Sequence, residues 1–251
     1  NRNIPVMING LTSMKATMGQ VNNWGIEVNL NTTNIQTKDF NWGSTLTFYM
    51  NRNKLKELYG DGQDDITNSL FLGKSLGAIY GYKNIGIVQE EDTEYMAANG
   101  AEPGDVKFAN LDGSEDGKIT ADDRTILGYK KENFRMSFGN TFRYKDFELY
   151  MLFTGIFGGN GYGQAVNYYA SDVQGDNNFN HGWWTPENKS NKYPRINYTD
   201  GRYTPLQGYG FVRLQDLSLS YTFRQPWVQK AGIGNLKVYM ACKNLFTISG
   251  W

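Results

Sequence analysis

Six segments of this chain alternate apolar and polar residues, and this alternation constrains the fold more than any other feature. Residues 25–34 read GIEVNLNTTN, in which isoleucine, valine and leucine alternate with glutamate and asparagine. A period of two is that of a β-strand whose two faces meet different surroundings. The six predicted strands are residues 25–34, 41–51, 134–144, 147–157, 211–223 and 236–248.

Connections of two very different lengths join the predicted strands. Short turns, such as the one at Lys145-Asp146, close three hairpins, the third through a somewhat longer segment, residues 224–235. Residues 52–133 and 158–210 separate the hairpins and are far longer than the loops of a compact soluble domain. Short turns that alternate with long loops are typical of an outer-membrane β-barrel, in which the turns are periplasmic and the loops extracellular.

Aromatic residues gather at the turn ends of the predicted strands, as a membrane-interface girdle requires. This placement favours a barrel over a β-sandwich, whose strands would also alternate. We therefore predict an all-β fold, a fragment of an antiparallel transmembrane β-barrel, with strands that are neighbours in sequence order. Two packed sheets with Greek-key crossings would contradict that prediction. The aromatic residues beside the three turns are Phe40, Trp42, Tyr144, Phe147, Tyr221, Phe223 and Trp227.

The alternation also predicts which surroundings each face meets. Thr45 and Thr47 share a polar face, which we expect to line the lumen of the barrel. Asn140 interrupts the apolar face of the second hairpin. The residues of the second strand on the face expected to meet lipid are Trp42, Leu46, Phe48 and Met50.

Composition narrows the possible functions. Basic and acidic residues number 25 each, so the formal net charge is zero, which argues against a nucleic-acid partner. The single cysteine, Cys242, excludes an intrachain disulfide and is expected to be a small buried or lipid-facing residue. The single histidine, His181, cannot build a histidine-based zinc site and gives a Ser-His-Asp triad little support. No run approaches the ~20 apolar residues of a transmembrane helix, and no catalytic residues are predicted.

Five segments, in the same order, resemble the SusC/RagA family of TonB-dependent outer-membrane transporters. Residues 20–27, QVNNWGIE, are similar to the N-x-G-x-E start of a strand in that family. Residues 76–89 contain LGAIYGY and GIVQ, which resemble its IGxxYGY and GIFQ. PGDVKF at 103–108 and DRTILG at 123–128 resemble its PGDIKY and DRTIIG. RLQDLSLSY, LKVY and KNLFT, within residues 213–247, resemble its final strands.

The resemblance implies a place and a function for the chain. Residues 1–251 would be a C-terminal part of the barrel, without the N-terminal plug, the TonB contact segment or the last strands. The expected partners are the TonB complex, a SusD-like surface lipoprotein that acts as a lid, an oligosaccharide or peptide substrate, and outer-membrane lipid. The expected location is the bacterial outer membrane, and the expected activity is import without chemistry on the substrate. The alternative is a secreted, calcium-stabilised β-sandwich that binds carbohydrate, and a glycan hydrolase comes third.

An acidic segment in the first long connection fits the twelve-residue pattern of a calcium loop. Residues 112–123 read DGSEDGKITADD, with Gly117 at the sixth position, where such loops turn sharply. We predict that it binds a structural Ca²⁺, for which Mg²⁺ is a poor substitute because it retains its waters. The predicted ligands are Asp112, Ser114, Asp116, the Lys118 carbonyl, Thr120 and Asp123, with Asn110 as an alternative first ligand.

Two departures from the calcium pattern leave a second interpretation open. Ser114 replaces the usual acid or amide at the third position, and Asp123 replaces glutamate at the twelfth. The alternative is a solvated turn of aspartate and glycine that holds no metal. In either case the long connection is expected to have little core of its own, and Asp116→Ala is expected to loosen it.

Aromatic and amide residues are frequent in the second long connection. Tyr162, Tyr168-Tyr169 and Trp183-Trp184 lie among many Asn, Asp and Gln residues. Aromatic faces beside amides suit the binding of sugar rings or peptides. Packing of the connection on itself explains these residues equally well.

Overall fold

The computed structural model describes residues 2–4, 14–16, 19–162, 182–196 and 198–250. For residues 2–4 and 14–16 and for Tyr162, it describes the backbone alone. In chain order the elements are β1 (Arg2–Ile4), β2 (Met14–Ala16), β3 (Gly19–Gln36), β4 (Phe40–Leu58), β5 (Ala78–Tyr82), β6 (Asn84–Ile87), α1 (Thr93–Asn99), β7 (Val106–Phe108), β8 (Arg124–Tyr129), β9 (Phe134–Tyr144), β10 (Phe147–Phe157), β11 (Asn160–Tyr162), β12 (Leu206–Gly208), β13 (Phe211–Phe223), α2 (Pro226–Lys230) and β14 (Leu236–Ser249).

One antiparallel sheet of six strands dominates the molecule. Its strands β3, β4, β9, β10, β13 and β14 each pair with their neighbours in sequence order. The predicted topology is therefore confirmed, and β9, β10 and β13 have the predicted bounds. Greek-key crossings, which would indicate the sandwich, do not occur among the described strands of this sheet.

The first hairpin is longer than its sequence pattern predicted. Strand β4 continues to Leu58, so the first long connection begins there and not at Arg52. The apolar alternation stops near Arg52, but Leu55 and Leu58 are buried, with exposed fractions of 3% and 6%. The backbone of Leu55 also donates to Lys74 O at 2.8 Å, which ties the end of β4 to the connection that follows it.

The register of the sheet separates apolar and polar residues cleanly. In the middle of the strands, one row runs across all six with an apolar residue on each. The next row, on the opposite face, is mostly polar or small. The apolar row is Leu30, Leu46, Phe138, Phe153, Leu214 and Phe246. The opposite row is Asn31, Thr45, Gly139, Leu152, Asp216 and Lys243.

A bulge at Gln215 preserves this separation in β13. The pairing of β10 passes from Leu214 directly to Asp216, so Gln215 is the extra residue. Without the bulge, Leu214 and Leu217 would point to opposite faces; with it, both lie on the apolar one. Cys242 is paired with Leu217 and therefore lies on the apolar face as well.

Aromatic residues mark both ends of the apolar face. At the short turns, Phe40, Tyr144, Phe147 and Tyr221 are directly paired across four strands. At the other end, the ring of Phe134 lies 5.5 Å from that of Phe48 and 4.5 Å from that of Phe157. Strands of 11 residues separate the two groups. At about 3.3 Å per residue and a tilt of about 40°, they span about 25 Å, the height of a barrel's apolar band.

Asn140, the polar residue on the apolar face of the second hairpin, accepts two hydrogen bonds. Trp42 Nε1 donates to Asn140 Oδ1 at 3.0 Å, and Ser44 Oγ donates to the same oxygen at 2.8 Å. Asn140 is 5% exposed. A polar group in an apolar environment requires such partners, so Asn140 supports its neighbours without breaking the apolar face.

The helices are short and lie outside the sheet. α2 occupies the third turn, begins with a proline at its first position and buries Val228. α1 lies in the first long connection. No helix in the described ranges combines the length and the apolar composition needed to cross a membrane.

Candidate functional site

The two long connections pack together into one body at the end of the sheet opposite the short turns. We call the described residues of 59–133 and 158–210 the loop unit. Within it β5 pairs with β8 and β6 with β7. Asn191 Oδ1 of the second connection accepts from Ile87 N of the first at 2.9 Å. Arg195 N donates to Gly104 O at 2.8 Å, so backbone contacts also join the connections.

The loop unit has its own apolar core. The first connection was expected to have little core of its own; it contributes Ile87, Val106 and Phe108 to a core that the second connection completes. Tyr82, Ile119 and Tyr203 pack around the core from outside. Its buried members are Ile87, Val106, Phe108, Trp184 and Tyr198.

Trp184 is the central link between the connections. Its indole Nε1 donates to Gln89 Oε1 at 3.0 Å, and its ring lies against Gly104. A Cβ at Gly104 would stand 2.6 Å from Trp184 Cε3, and φ at Gly104 is +91°, so only glycine fits there. Of the two interpretations of these aromatics, packing therefore holds for Trp184. Tyr168-Tyr169 and His181, and the side chain of Tyr162, lie outside the described residues.

The predicted calcium loop is organised around Asp123, whose side chain is fully buried. Its Oδ1 accepts from Leu111 N at 2.5 Å and from Asp112 N at 3.0 Å, and its Oδ2 accepts from Thr120 N at 2.7 Å. Thr120 and Asp123 thereby form a capping box on the 3-10 turn Ala121–Asp123. The carboxylate that was predicted to close a metal site thus closes the loop through backbone N–H groups.

The hydrogen bonds of Asp123 also set its ionisation. Burial opposes the charged form, but the N–H groups of Thr120, Leu111 and Asp112 together lower the pKa of the carboxyl below its usual value. Asp123 is therefore a buried anion whose charge is held by backbone dipoles.

The other predicted ligands lie in two local turns. Asp112 Oδ1 accepts from Ser114 N at 2.7 Å, and Asp112 Oδ2 accepts from Thr120 Oγ1 at 3.4 Å. Asp116 Oδ1 accepts from Lys118 N at 3.0 Å in a separate turn. In the described part of the chain, no three His, Cys, Asp or Glu side chains converge as a metal site.

The alternative first ligand, Asn110, points to Ser114. Its Nδ2 donates to the Ser114 carbonyl at 3.0 Å and to Ser114 Oγ at 3.1 Å. The amide therefore fastens the start of the loop to its middle. Carboxylate oxygens of Asp112 and Asp116 remain at the exposed side of the loop, and their chemistry suits calcium.

A cavity of about 250 Å³ opens beside the core of the loop unit. Both connections contribute to its wall, from α1 and the residues after it and from residues 195–202. We call it the loop-unit cavity. The ionisable side chains that line it are Tyr95, Asp105, Arg195, Tyr198, Asp200 and Arg202.

The charges in the cavity wall are paired. Arg195 Nε donates to Asp105 Oδ1 at 2.7 Å, and Arg202 Nη2 donates to Asp200 Oδ2 at 2.6 Å. The guanidinium of Arg202 also lies 5.3 Å from the ring centroid of Phe108, which holds it against the core. Burial raises the pKa of the Asp200 carboxyl, but the hydrogen bonds from Arg202 lower it by more. The pKa therefore lies below its ordinary value, and the carboxyl stays ionised.

Tyr198 is 5% exposed, and its enclosed hydroxyl lies beside the Asp200 carboxylate, whose charged form it helps to stabilise. Burial raises the pKa of this phenol, so it remains a donor.

The sequence pattern contains no sign of this cavity. Its wall joins residues 95–105 to residues 195–202, and such a long-range meeting leaves no periodic signal. Arg195 and Asp105 look like ordinary solvated charges in the sequence. The packing of the two connections, which includes the hydrogen bond from Arg195 N to Gly104 O, brings the two together.

The fold and the loop unit together define a class of protein. A sequence-ordered antiparallel sheet with an apolar and a polar face, aromatic ends and long loops on one side is the wall of an outer-membrane β-barrel. In such a barrel the apolar face meets lipid and the polar face meets the lumen.

Comparison with known proteins agrees with that class. TonB-dependent receptor P3 of Formosa agariphila is 30% identical over 264 residues, which cover 96% of this chain and 26% of the receptor. TonB-dependent receptor P26 of the same organism is 29% identical, over 94% of this chain and 26% of the receptor. No family model matches the chain.

Solved structures show the same fold. The RagAB peptide importer in its open-open state has a TM-score of 0.69 at 20% identity, over 99% of this chain and 28% of the matched chain. A second structure, of the RagAB peptide transporter, has a TM-score of 0.70 at 20% identity, over 96% and 27%. The chain thus spans about a quarter of the proteins it matches.

The chain is similar over 96% of its length to a TonB-dependent receptor, in agreement with the resemblance that its sequence motifs indicated, and it shares the fold of the RagAB structures. Its six-stranded sheet has the architecture of part of an outer-membrane barrel. The names of the matched proteins are those of receptors and importers, not of enzymes.

Proposed function

We propose that the chain forms part of the barrel wall and the extracellular loops of an importer of oligosaccharides or peptides, driven by the TonB complex. The observation that carries this proposal is the sheet with one lipid-compatible and one polar face, in a chain 30% identical to a TonB-dependent receptor. Import of a large polar molecule requires a water-filled, polar-lined passage through the membrane.

The polar face supplies a wall suited to either substrate class. Around Thr45 and Gly139 it carries small uncharged side chains, and Asn31, Ser137 and Thr141 surround them. Hydroxyl and amide groups exchange hydrogen bonds with sugar hydroxyls as readily as with peptide groups. This part of the face therefore suits polar, neutral molecules and does not choose between the two.

The loop unit supports a role for a surface lipoprotein. It lies at the extracellular end of the sheet and has a core of its own, so it can present a fixed surface to a partner. The solved structures that share this fold belong to RagAB, a peptide importer. By analogy we propose a SusD-like lipoprotein as the lid of the whole receptor, and we propose that the TonB complex engages the receptor outside the segment described here.

Uptake by cells tests this function. A strain that lacks the whole receptor should lose uptake of one labelled oligosaccharide or peptide pool, and a protonophore should abolish the same uptake in the parent strain. The receptor should fractionate with outer membranes and need detergent for extraction. Recovery of the full-length receptor from the soluble fraction without detergent would refute the proposal.

The calcium prediction for residues 112–123 stays a prediction. Millimolar calcium, the range in which extracellular sites work, should raise the protease resistance of the loop in the whole receptor. Asp112→Ala combined with Asp116→Ala should remove the effect, whereas Asp122→Ala, an exposed acid outside the predicted set, should not. An identical calcium response in all three proteins would show that no ion binds through these carboxylates.

A further inference from the structure

We propose that the outward face of β4, at its extracellular end, binds the anionic, phosphate-bearing headgroup of a lipid in the outer leaflet. The site consists of Arg52, Lys54 and Lys74, beside Trp24 of β3. We call these four residues the rim site. The proposal depends on the lipid-facing side of the sheet and not on what the receptor imports.

The register of the first hairpin places the rim site just beyond the apolar band. Phe48, whose ring lies 5.5 Å from that of Phe134, belongs to the aromatic group at the extracellular end of this band. Arg52 follows four residues later on β4. At about 3.3 Å per residue and a tilt of about 40°, its backbone lies about 10 Å further out. Lipid headgroups occupy this depth, because they flank the apolar core of a bilayer.

The same register places the side chains of Arg52 and Lys54 on the outward face. Met50 lies on the apolar face, and no bulge interrupts β4 between Met50 and Lys54. Side chains two residues apart in a strand share a face, so Met50, Arg52 and Lys54 lie on the same side. Arg52 is paired with Trp24, which is 56% exposed. The lipid side of the hairpin therefore carries an indole and two cations, which suit a membrane interface.

The cations of the rim site have no anionic partner among the described residues. Arg52, Lys54 and Lys74 form no ion pair there, and Glu57, the one acid in β4, pairs with none of them. Residues 52–58 read RNKLKEL, with three bases and one acid. The end of the strand therefore carries a net positive charge, which attracts an anionic ligand.

Neighbouring groups hold the three cations beside one another. Arg52 Nη1 donates to the Asn133 carbonyl, just before β9, which leaves further N–H donors of the guanidinium for a ligand. The stem of Lys54 crosses the loop unit at Gly73, where a Cβ would stand 3.6 Å from Lys54 Cε. The carbonyl of Lys74, the next residue, accepts a backbone N–H of β4 at 2.8 Å. The rim site is therefore built where β4 meets the loop unit.

The groups of the rim site suit a phosphate. The planar guanidinium of Arg52 can bind two phosphate oxygens, and the ammonium groups of Lys54 and Lys74 add point charges. A free phosphate would gain only these exposed contacts, which salt screens. A lipid gains more, because Ile26 and Met50 form the next apolar row toward the membrane and can contact its acyl chains. The position of the site therefore favours a lipid headgroup over a soluble anion.

Native mass spectrometry of the whole receptor, titrated with phosphatidylglycerol in a neutral detergent, tests the rim site. Monogalactosyldiacylglycerol, which has no phosphate, is the control lipid and should bind more weakly. The combination of Arg52→Gln, Lys54→Gln and Lys74→Gln should weaken the tightest-bound phosphatidylglycerol by about fivefold for each cation removed. Unaltered resistance of the barrel to SDS shows that the variant is folded.

Two single variants separate charge from geometry. Arg52→Lys keeps the charge but removes the planar fork, so it should bind phosphatidylglycerol more weakly than the wild type and more tightly than Arg52→Gln. Lys192→Gln removes an exposed, unpaired lysine of the loop unit that lies outside the rim site, and should leave the affinity unchanged. Inorganic phosphate at 10 mM, a concentration of about the weak millimolar range, should not displace the lipid.

Four results would overturn the inference. The first two are equal phosphatidylglycerol affinity of the wild type and the triple variant, and equal affinity of the wild type for the two lipids. Displacement by inorganic phosphate would show a site for a soluble anion. Loss of a co-purifying lipoprotein from the triple variant, with lipid binding unaltered, would instead assign these cations to a protein contact.

Discussion

In the six-stranded sheet the large apolar side chains point away from the protein, whereas in the loop unit they point inward. On β3, Ile26, Val28 and Leu30 are 47%, 43% and 50% exposed. In the loop unit, Phe108 and Ile87 are 1% and 2% exposed. The same residue types thus cover the outer surface of one region and fill the interior of the other.

This difference shows that the two regions depend on different solvents. The loop unit is held by the transfer of apolar surface out of water, as in a soluble domain. The sheet is held by its hydrogen-bond ladder and by lipid against its apolar face, since lipid is as apolar as its side chains. The same type of substitution should therefore have different consequences in the two regions, and the following variants of the whole receptor test this.

The largest effect is expected in the core of the loop unit. Phe108→Ala leaves a cavity where Phe108 packs against Tyr82 and beneath Arg202, and should cost about 3–5 kcal/mol. Limited proteolysis should then cut the long connections while the barrel keeps its resistance to SDS. Phe138→Ala, on the outer face of β9 and 38% exposed, is the matched control and should leave the connections protected. Equal proteolysis of both variants would remove the distinction between the regions.

A charge on the outer face should have the next largest effect. Leu46 lies midway between the two aromatic groups, so Leu46→Arg should cost about 2–4 kcal/mol of folding free energy in a bilayer. Thr45→Arg places the same charge on the adjacent residue of the opposite face and should cost little. Urea titrations of the receptor in lipid vesicles measure both. If Thr45→Arg were the more damaging variant, the assignment of the faces would be reversed.

Substitution of Asp123, the buried carboxylate of residues 112–123, should have a smaller effect on the free energy of folding. This effect depends on pH. Asp123→Asn exchanges an oxygen for an N–H donor that faces backbone N–H groups, and should cost about 1–3 kcal/mol.

The sign of the pH effect follows from the lowered pKa of Asp123. Its stabilisation is complete above the ordinary aspartate value of 3.8 and is lost as the pH falls through the lower value of the folded state. Hydrogen exchange at the Leu111 and Thr120 amides should therefore accelerate in acid below about pH 3.8 in the wild type and in Asp122→Asn. Asp123→Asn should exchange faster at neutral pH and lack the acid step. An acid step that survives in Asp123→Asn would assign it to another group.

The smallest effect on the free energy of folding is expected for Asn140 and Ser44, whose side chains are hydrogen-bonded on the apolar face. Asn140→Ala deprives Trp42 Nε1 and Ser44 Oγ of their acceptor and should cost about 0.6–2 kcal/mol, as other hydrogen bonds in membranes do. A double-mutant cycle with Ser44→Ala measures the share that belongs to that pair. Full additivity of the two substitutions would mean that the hydrogen bond from Ser44 contributes nothing.

The sequence predicted the sheet well because its signal is local. Alternation along each strand identified the bounds of β9, β10 and β13, and the long loops identified the barrel class. The signal failed at the end of β4, where Leu55 and Leu58 are buried and the backbone of Leu55 is hydrogen-bonded to the loop unit at Gly73 and Lys74. Beyond the membrane the strand has different surroundings on its faces, so the membrane pattern no longer applies.

The candidate site was predicted less well because its contacts are distant in sequence. The spacing of acids in residues 112–123 resembled a metal loop, but the same spacing also suits aspartates that accept from nearby backbone N–H groups, as Asp112, Asp116 and Asp123 do. The loop-unit cavity needs Tyr95 and Tyr198 to meet across the whole second hairpin. Nothing in either local segment shows that meeting.

The core of the loop unit, to which both long connections contribute, has a consequence for the folding of the receptor. Phe108 and Trp184 lie on opposite sides of the β9–β10 hairpin in the chain, so their contact can form only when both ends of that hairpin have reached the cell exterior. Contacts between residues so far apart in sequence form slowly. We therefore expect the loop unit to fold last and to act as a report of correct insertion: a receptor whose sheet is incomplete would leave both connections open to surface proteases.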